Sequence, residues 1–175
     1  MHWIEDLRKY IREQSQLIHI KTRSRPNRRF GFNAPGYKTK RGTAIFVAID
    51  LSLNLIPDTV REIYKAIEGI DPLHEMENTI FIVPFQDKVY TPRHFPRPGV
   101  VPVAMPTGSG MTDYDCVLDN IINVGYGQVD ANLGRAIIII SGKVGVLKKI
   151  KPREPLFWLL TDSEFNSINP VIMKY

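Results

Sequence analysis

Three short oxygen-bearing side chains, Asp50, Ser52 and Asn54, alternate through "IFVAIDLSLN" (45–54), directly after an apolar run. Side chains two apart in a tight loop can turn toward one point. A carboxylate, a hydroxyl and an amide oxygen together suit a hard cation such as Mg²⁺, which takes oxygen ligands at about 2.1 Å and keeps part of its water shell. Taken alone, D-x-S-x-N is also what a helix entry or an Asx turn looks like. A second loop strengthens the metal reading. "TGSGMTDYD" (107–115) is glycine-rich and ends in Thr112-Asp113 before a helical pattern, so the Thr112 hydroxyl can complete a shell around Asp50.

Other chemistry-bearing residues are sparser. Cys116 is the single cysteine, which excludes an intrachain disulfide and every cysteine-cluster metal motif, and its surroundings in sequence favour a structural thiol. "HEMEN" (74–78) lacks the second histidine of a zinc helix, and "GSG" (108–110) is not followed by the Lys-Ser/Thr of a phosphate loop. His2, His19 and His94 show no ligand spacing, and no base–nucleophile pair is visible, so no enzyme is expected. The net charge of +5 is concentrated between Lys21 and Arg41, where eight cations occur without an acid and Phe30, Phe32 and Tyr37 are interleaved. Arg23, Arg25, Arg28, Arg29, Lys38 and Lys40 are the candidates there for contact with nucleic acid or with an acidic partner.

The elements that must position these residues follow from periodicity. Trp3, Ile4, Leu7, Tyr10 and Ile11 mark an amphipathic helix from residue 3 to about 18. The Pro- and Gly-containing basic segment breaks it and leads to a strand at 44–49. Pro57 opens a helix carrying Val60, Ile63, Tyr64 and Ile67. "NTIFIVPF" (78–85) is a strand, and three prolines in 91–99 bar a helix interior or a central strand. "VVPVAM" reads as a short edge strand, and "YDCVLDNIINV" as a helix. "GRAIIIISG", "EPLFWLLTD" and "NPVIMKY" supply the last strands, with Trp158 in the core.

Apolar strands without in–out alternation, interspersed with helices, predict an α/β fold: a Rossmann-like doubly wound, mostly parallel sheet flanked by helices. An N-terminal helix and basic arm (1–41) would pack on the α/β domain (42–175). Sites in such sheets lie beyond the carboxyl ends of the strands, where Asp50 falls. No apolar run approaches the length that spans a bilayer, and the acid-containing N-terminus lacks a signal-peptide core, so a cytoplasmic protein with no membrane partner is expected.

In motif order the chain resembles the von Willebrand factor A-type domain, whose metal-ion-dependent adhesion site reads D-x-S-x-S, a later Thr and a still later Asp. More narrowly, it resembles the von Willebrand A-like C-terminal part of a bacterial family of predicted metallopeptidases. "RPNRRF" (25–30), "VAIDLSLN" (47–54), "GSGMTDYDCVLDNI" (108–121) and "PLFWLLT" (155–161) carry the likeness across nearly the whole length. The resemblance implies a non-enzymatic interaction module. Mg²⁺ or another divalent cation would be held by Asp50, Ser52, Thr112 and Asn54, with one coordination position open for a partner's carboxylate. It also implies a protein partner such as an AAA+ ATPase of the MoxR type, or a larger assembly. The metallopeptidase portion has no counterpart here, so protease activity is not implied.

Two departures weaken the metal site. Asn54 replaces the second serine, and Ser141-Gly142 stands where the family has Thr-Asp-Gly; Asp113 could compensate, directly or through water. The alternative expectations are therefore an assembly component with a vestigial site, or a nucleic-acid-binding accessory protein using the arm 21–41.

Overall fold

The structure, a computed structural model, describes residues 2–26, 29, 34–53, 57–69, 76–90, 93–95, 111–162 and 167–175. Helix α1 (His2–Gln14) buries Trp3, Leu7, Tyr10 and Ile11, as its periodicity requires. It ends four residues earlier than expected. Ser15 turns back onto the Arg12 carbonyl through both its amide and its hydroxyl, at 3.3 and 2.7 Å. The residues released by that stop, with the first part of the basic segment, form strand β1 (Gln16–Pro26).

Residues 21–26 and 35–41 of the basic segment are thus strand. Strand β1 pairs antiparallel with the first half of β2 (Pro35–Asp50), and the two make a ribbon. Strand β2 runs unbroken through residues 41 and 42 into the core. Its 16 residues measure about 50 Å at the usual strand rise. Next come α2 (Pro57–Glu68), β3 (Met76–Phe85), the short β4 (Arg93–Phe95), α3 (Tyr114–Asn123), β5 (Gly134–Ser141), β6 (Leu156–Thr161) and β7 (Ile168–Met173).

All strands join one sheet of order β4-β3-β2-β5-β6-β7, with β1 on β2. The four inner strands, β3, β2, β5 and β6, run parallel, while both edges pair antiparallel. Within the proline-rich stretch 91–99, the described residues Arg93–Phe95 form the edge strand β4. Both faces of the sheet are covered. Ile45, Val47, Ile49, Ile138, Ile140 and Phe157 face α1 and α2 in one core. Phe46, Ala48, Val83, Ile139 and Trp158 face α3 in the other, together with Val144, Leu147 and Ile150 of the helix-free crossover from β5 to β6. This two-sided burial is why the strands read as continuous apolar runs.

From β2 the chain moves to β3 and β4 on one side, then returns to β5 on the other. The strand order therefore switches at the carboxyl end of β2, where open α/β sheets form their crevice.

Candidate functional site

Asp50 is the last residue of β2 and is only 2% exposed. Ser141 is the last residue of the neighbouring β5, one step beyond the Ile49–Ile140 register pair. Ser141 Oγ donates to Asp50 Oδ2 at 2.9 Å. Thr112, from the segment entering α3, places its hydroxyl 3.3 and 3.4 Å from the two carboxylate oxygens. The Ser52 amide donates to Asp50 Oδ1 at 2.9 Å, in an Asx-type turn that bends the chain out of β2. Three chain segments far apart in sequence thus converge on one buried carboxylate.

A fifth participant, Tyr114, is not among the residues the sequence motifs point to. Its hydroxyl lies 2.7 Å from Ser141 Oγ and 3.4 Å from Asp50 Oδ2. With the Ser141 proton directed at Asp50, Tyr114 donates to Ser141, and the three groups form a relay. The ring is held edge-on by Phe85 and Trp158, with centroids 5.8 and 5.3 Å away. Burial raises the Tyr114 phenol above its ordinary pKa and the Asp50 charge adds to this, against the opposing Ser141 hydrogen bond, so the phenol stays a donor. The sequence places Tyr114 on the apolar face of a helix, and that periodicity conceals its polar end.

The other expected ligands stand differently. Asp113 is the N-cap of α3, and its Oδ1 accepts from the amides of Asp115 and Cys116 at 3.0 and 3.3 Å. Its own amide donates to the Gln86 carbonyl, which ties this segment to the loop after β3. Its carboxylate is thereby given to the helix end, and no bond joins it to Asp50. The Ser52 side chain is exposed. Asn54 and glycines 108 and 110 lie outside the described residues, as do His74 and the side chains of Arg25 and Arg28. Cys116 donates its thiol to the Asp113 carbonyl at 3.0 Å. Burial, and then the carboxylates of Asp113, Asp87, Asp115 and Asp119, push that thiol up to about 11, which makes it a poor nucleophile at neutral pH.

Among the described residues no group of three His, Cys, Asp or Glu is placed to hold a metal. A site built from hydroxyls is a different case. Adjacent oxygens of an octahedron with bonds of about 2.1 Å lie about 3.0 Å apart. Ser141 Oγ and Thr112 Oγ1 stand 2.9 and 3.3 Å from carboxylate oxygens of Asp50. The donors are oxygens, the kind a hard cation takes, and the distances are equally those of hydroxyls hydrogen-bonded to one carboxylate.

Comparison with family models, with curated proteins and with solved structures yields no match. Among the described residues no helix is long and apolar enough to cross a membrane.

Proposed function

We propose that this chain is a non-enzymatic protein-interaction module of von Willebrand A-like architecture. In this reading Asp50, Thr112 and Ser141, with the nearby Ser52 hydroxyl, hold a divalent cation that a carboxylate of a protein partner completes. The observation that carries it is the meeting of the Thr112 and Ser141 hydroxyls, 62 and 91 residues away in sequence, on Asp50. The 3-2-1-4-5-6 order of β2 to β7 places that meeting at the switch of strand order, where such folds bind ligands. A lone carboxylate among hydroxyls supplies an acceptor rather than an acid–base pair, which supports a binding role. A remodelling ATPase or a larger assembly presenting acidic side chains is the partner class that fits.

A second reading is favoured by one feature. Both Asp50 oxygens already receive hydrogen bonds from protein donors, and Asp113 adds no charge. The cluster would then be a structural latch in an assembly component that binds no metal.

Mn²⁺ titration followed by electron paramagnetic resonance and thermal melting separates the two. One carboxylate predicts affinity near the weak end of oxygen sites, about 10⁻⁴ to 10⁻³ M. At about ten times that concentration the melting temperature should rise by about 4 °C, and Asp50→Asn should abolish the rise. Melting and resonance spectra that ignore the metal would leave the latch.

A further inference from the structure

The ribbon of β1 and β2 lies at the opposite end of β2 from Asp50 and carries chemistry of its own. Its register pairs Leu17 with Arg41, His19 with Thr39 and Lys21 with Tyr37. Side chains alternate across a strand, so these pairs share one face, and Arg23 continues it along β1. Every one of these residues is exposed, Leu17 at 64% and Tyr37 at 56%. The other face is different. Ile18, Ile20 and Thr22 are half-buried, the Ile18 side chain crowds Gly42, and Lys40 is paired with Glu77 at 2.8 Å. One face leans on the body of the protein and the other is exposed, touching the body at its base, where Arg41 donates to Ser15 Oγ at 3.2 Å.

We propose that the exposed face binds single-stranded nucleic acid. Lys21, Arg23 and Arg41 would neutralise phosphates, and the rings of Tyr37 and His19 would take stacked bases. The combination of rings with cations is what selects this occupant. Tyr37 sits directly across the ribbon from Lys21, and His19 is its diagonal neighbour, so two flat rings and the adjacent cations form one surface. Bases stacked on aromatics beside a basic track are the general mode of single-strand binding. An acidic protein segment would use the cations and leave both rings without a role. No described residue of β1 is acidic, nor is any residue of β2 before Asp50. The proposal uses none of the Asp50 cluster, so its failure would leave that reading untouched.

Fluorescence anisotropy of the full chain with a labelled oligothymidylate of about 16 nucleotides tests it. Three phosphate contacts give a log–log salt slope of about −2, an affinity loss of about 20-fold between about 50 and 200 mM salt. The double substitution Lys21→Gln, Arg23→Gln should flatten the slope by about 1.4. Tyr37→Ala should weaken binding about 5- to 150-fold while Tyr37→Phe retains it, the span expected for loss of one stacked base. Because Tyr37 is exposed, thermal melts of these variants should match the parent. Tighter binding of a duplex of equal length, displacement by polyglutamate at equal charge, or an unchanged Tyr37→Ala would each overturn the proposal.

Discussion

Asp50 brings two acceptor oxygens into a buried position, and its neighbours are arranged to give them protons. The Ser52 amide, the Thr112 and Ser141 hydroxyls and, through Ser141, the Tyr114 phenol all point inward. Removing the acceptor is therefore worse than removing one donor, because several donors lose their partner inside the fold at once. Asp50→Ala should lower unfolding free energy by about 3 kcal/mol in urea denaturation, whereas Tyr114→Phe should cost about 1 kcal/mol. Equal losses for the two variants would mean that the carboxylate is not the centre of the cluster. Asp50, Thr112 and Ser141 stand out in the sequence as short oxygen side chains at strand ends and before a helix, a pattern shared with Asx turns and helix entries. Tyr114 does not, since an aromatic on an apolar helical face gives no sign of where its hydroxyl goes.

At the scale of elements, one side chain of α3 ties down the packed crossover from β5 to β6 with three hydrogen bonds. Asp115, in the first turn of α3, accepts from the amides of Lys148, Lys149 and Ile150 at 3.0, 3.1 and 3.1 Å. Gly145 of the same crossover runs so close to the Tyr114 ring that a Cβ would collide with it, so the segment also backs the site. Desolvation pushes the Asp115 carboxyl up, but the three amide hydrogen bonds, helped by the Lys149 charge, outweigh it and hold the pKa below the ordinary carboxylate range. A lowered folded pKa stabilises fully above the unfolded value of about 3.9, and that contribution fades as pH falls through the folded value. Asp115→Asn should therefore cost about 1 kcal/mol at neutral pH, with amides 148–150 exchanging faster, and the gap from the parent should narrow as pH falls below the unfolded value of about 3.9. An unchanged exchange rate would show that apolar packing alone holds the crossover. The inner strands and all three helices are readable from periodicity, because two-sided burial and amphipathic faces leave strong local patterns. The ribbon is not. Its partners lie 14 to 26 residues apart in the register Thr22–Gly36 to Gln16–Gly42, and charged residues on both strands mask the alternation that a half-buried pair would show.

Across the whole molecule, β2 links two dissimilar ends through a core in which, among the described residues, Tyr10 and Tyr114 are buried and Tyr126 partly so. Tyr10 of α1 is fully buried, its hydroxyl donating to the Pro155 carbonyl at 2.7 Å and accepting from the Ile137 amide at 3.0 Å. Helix α1 is thereby fastened to β5 and to the approach of β6. Gly134 permits that seat, because a Cβ there would strike the backbone at Gln14 and Ser15. Burial raises the phenols of Tyr10, Tyr114 and Tyr126 above the ordinary tyrosine value, with nearby Glu154 adding to the effect at Tyr10 and Tyr126. The unfolded chain releases these protons near about pH 10, while the folded chain retains them. A folded pKa above the unfolded one stabilises fully below the unfolded value, and stability falls as pH rises beyond it. A tyrosine whose folded pKa lies well above the unfolded value contributes a slope of about 1.4 kcal/mol per pH unit, and Tyr10 and Tyr126, the most strongly shifted, together about 2.7. Urea midpoints should hold steady to about pH 9.5 and then drop steeply, while the tyrosinate absorption of Tyr10 and Tyr126 appears only with unfolding. Tyr10→Phe should remove about half of that slope. Tyrosinate absorption appearing for all seven tyrosines near about pH 10, before any loss of structure, would show that these phenols reach solvent and that α1 is not locked to the sheet through Tyr10.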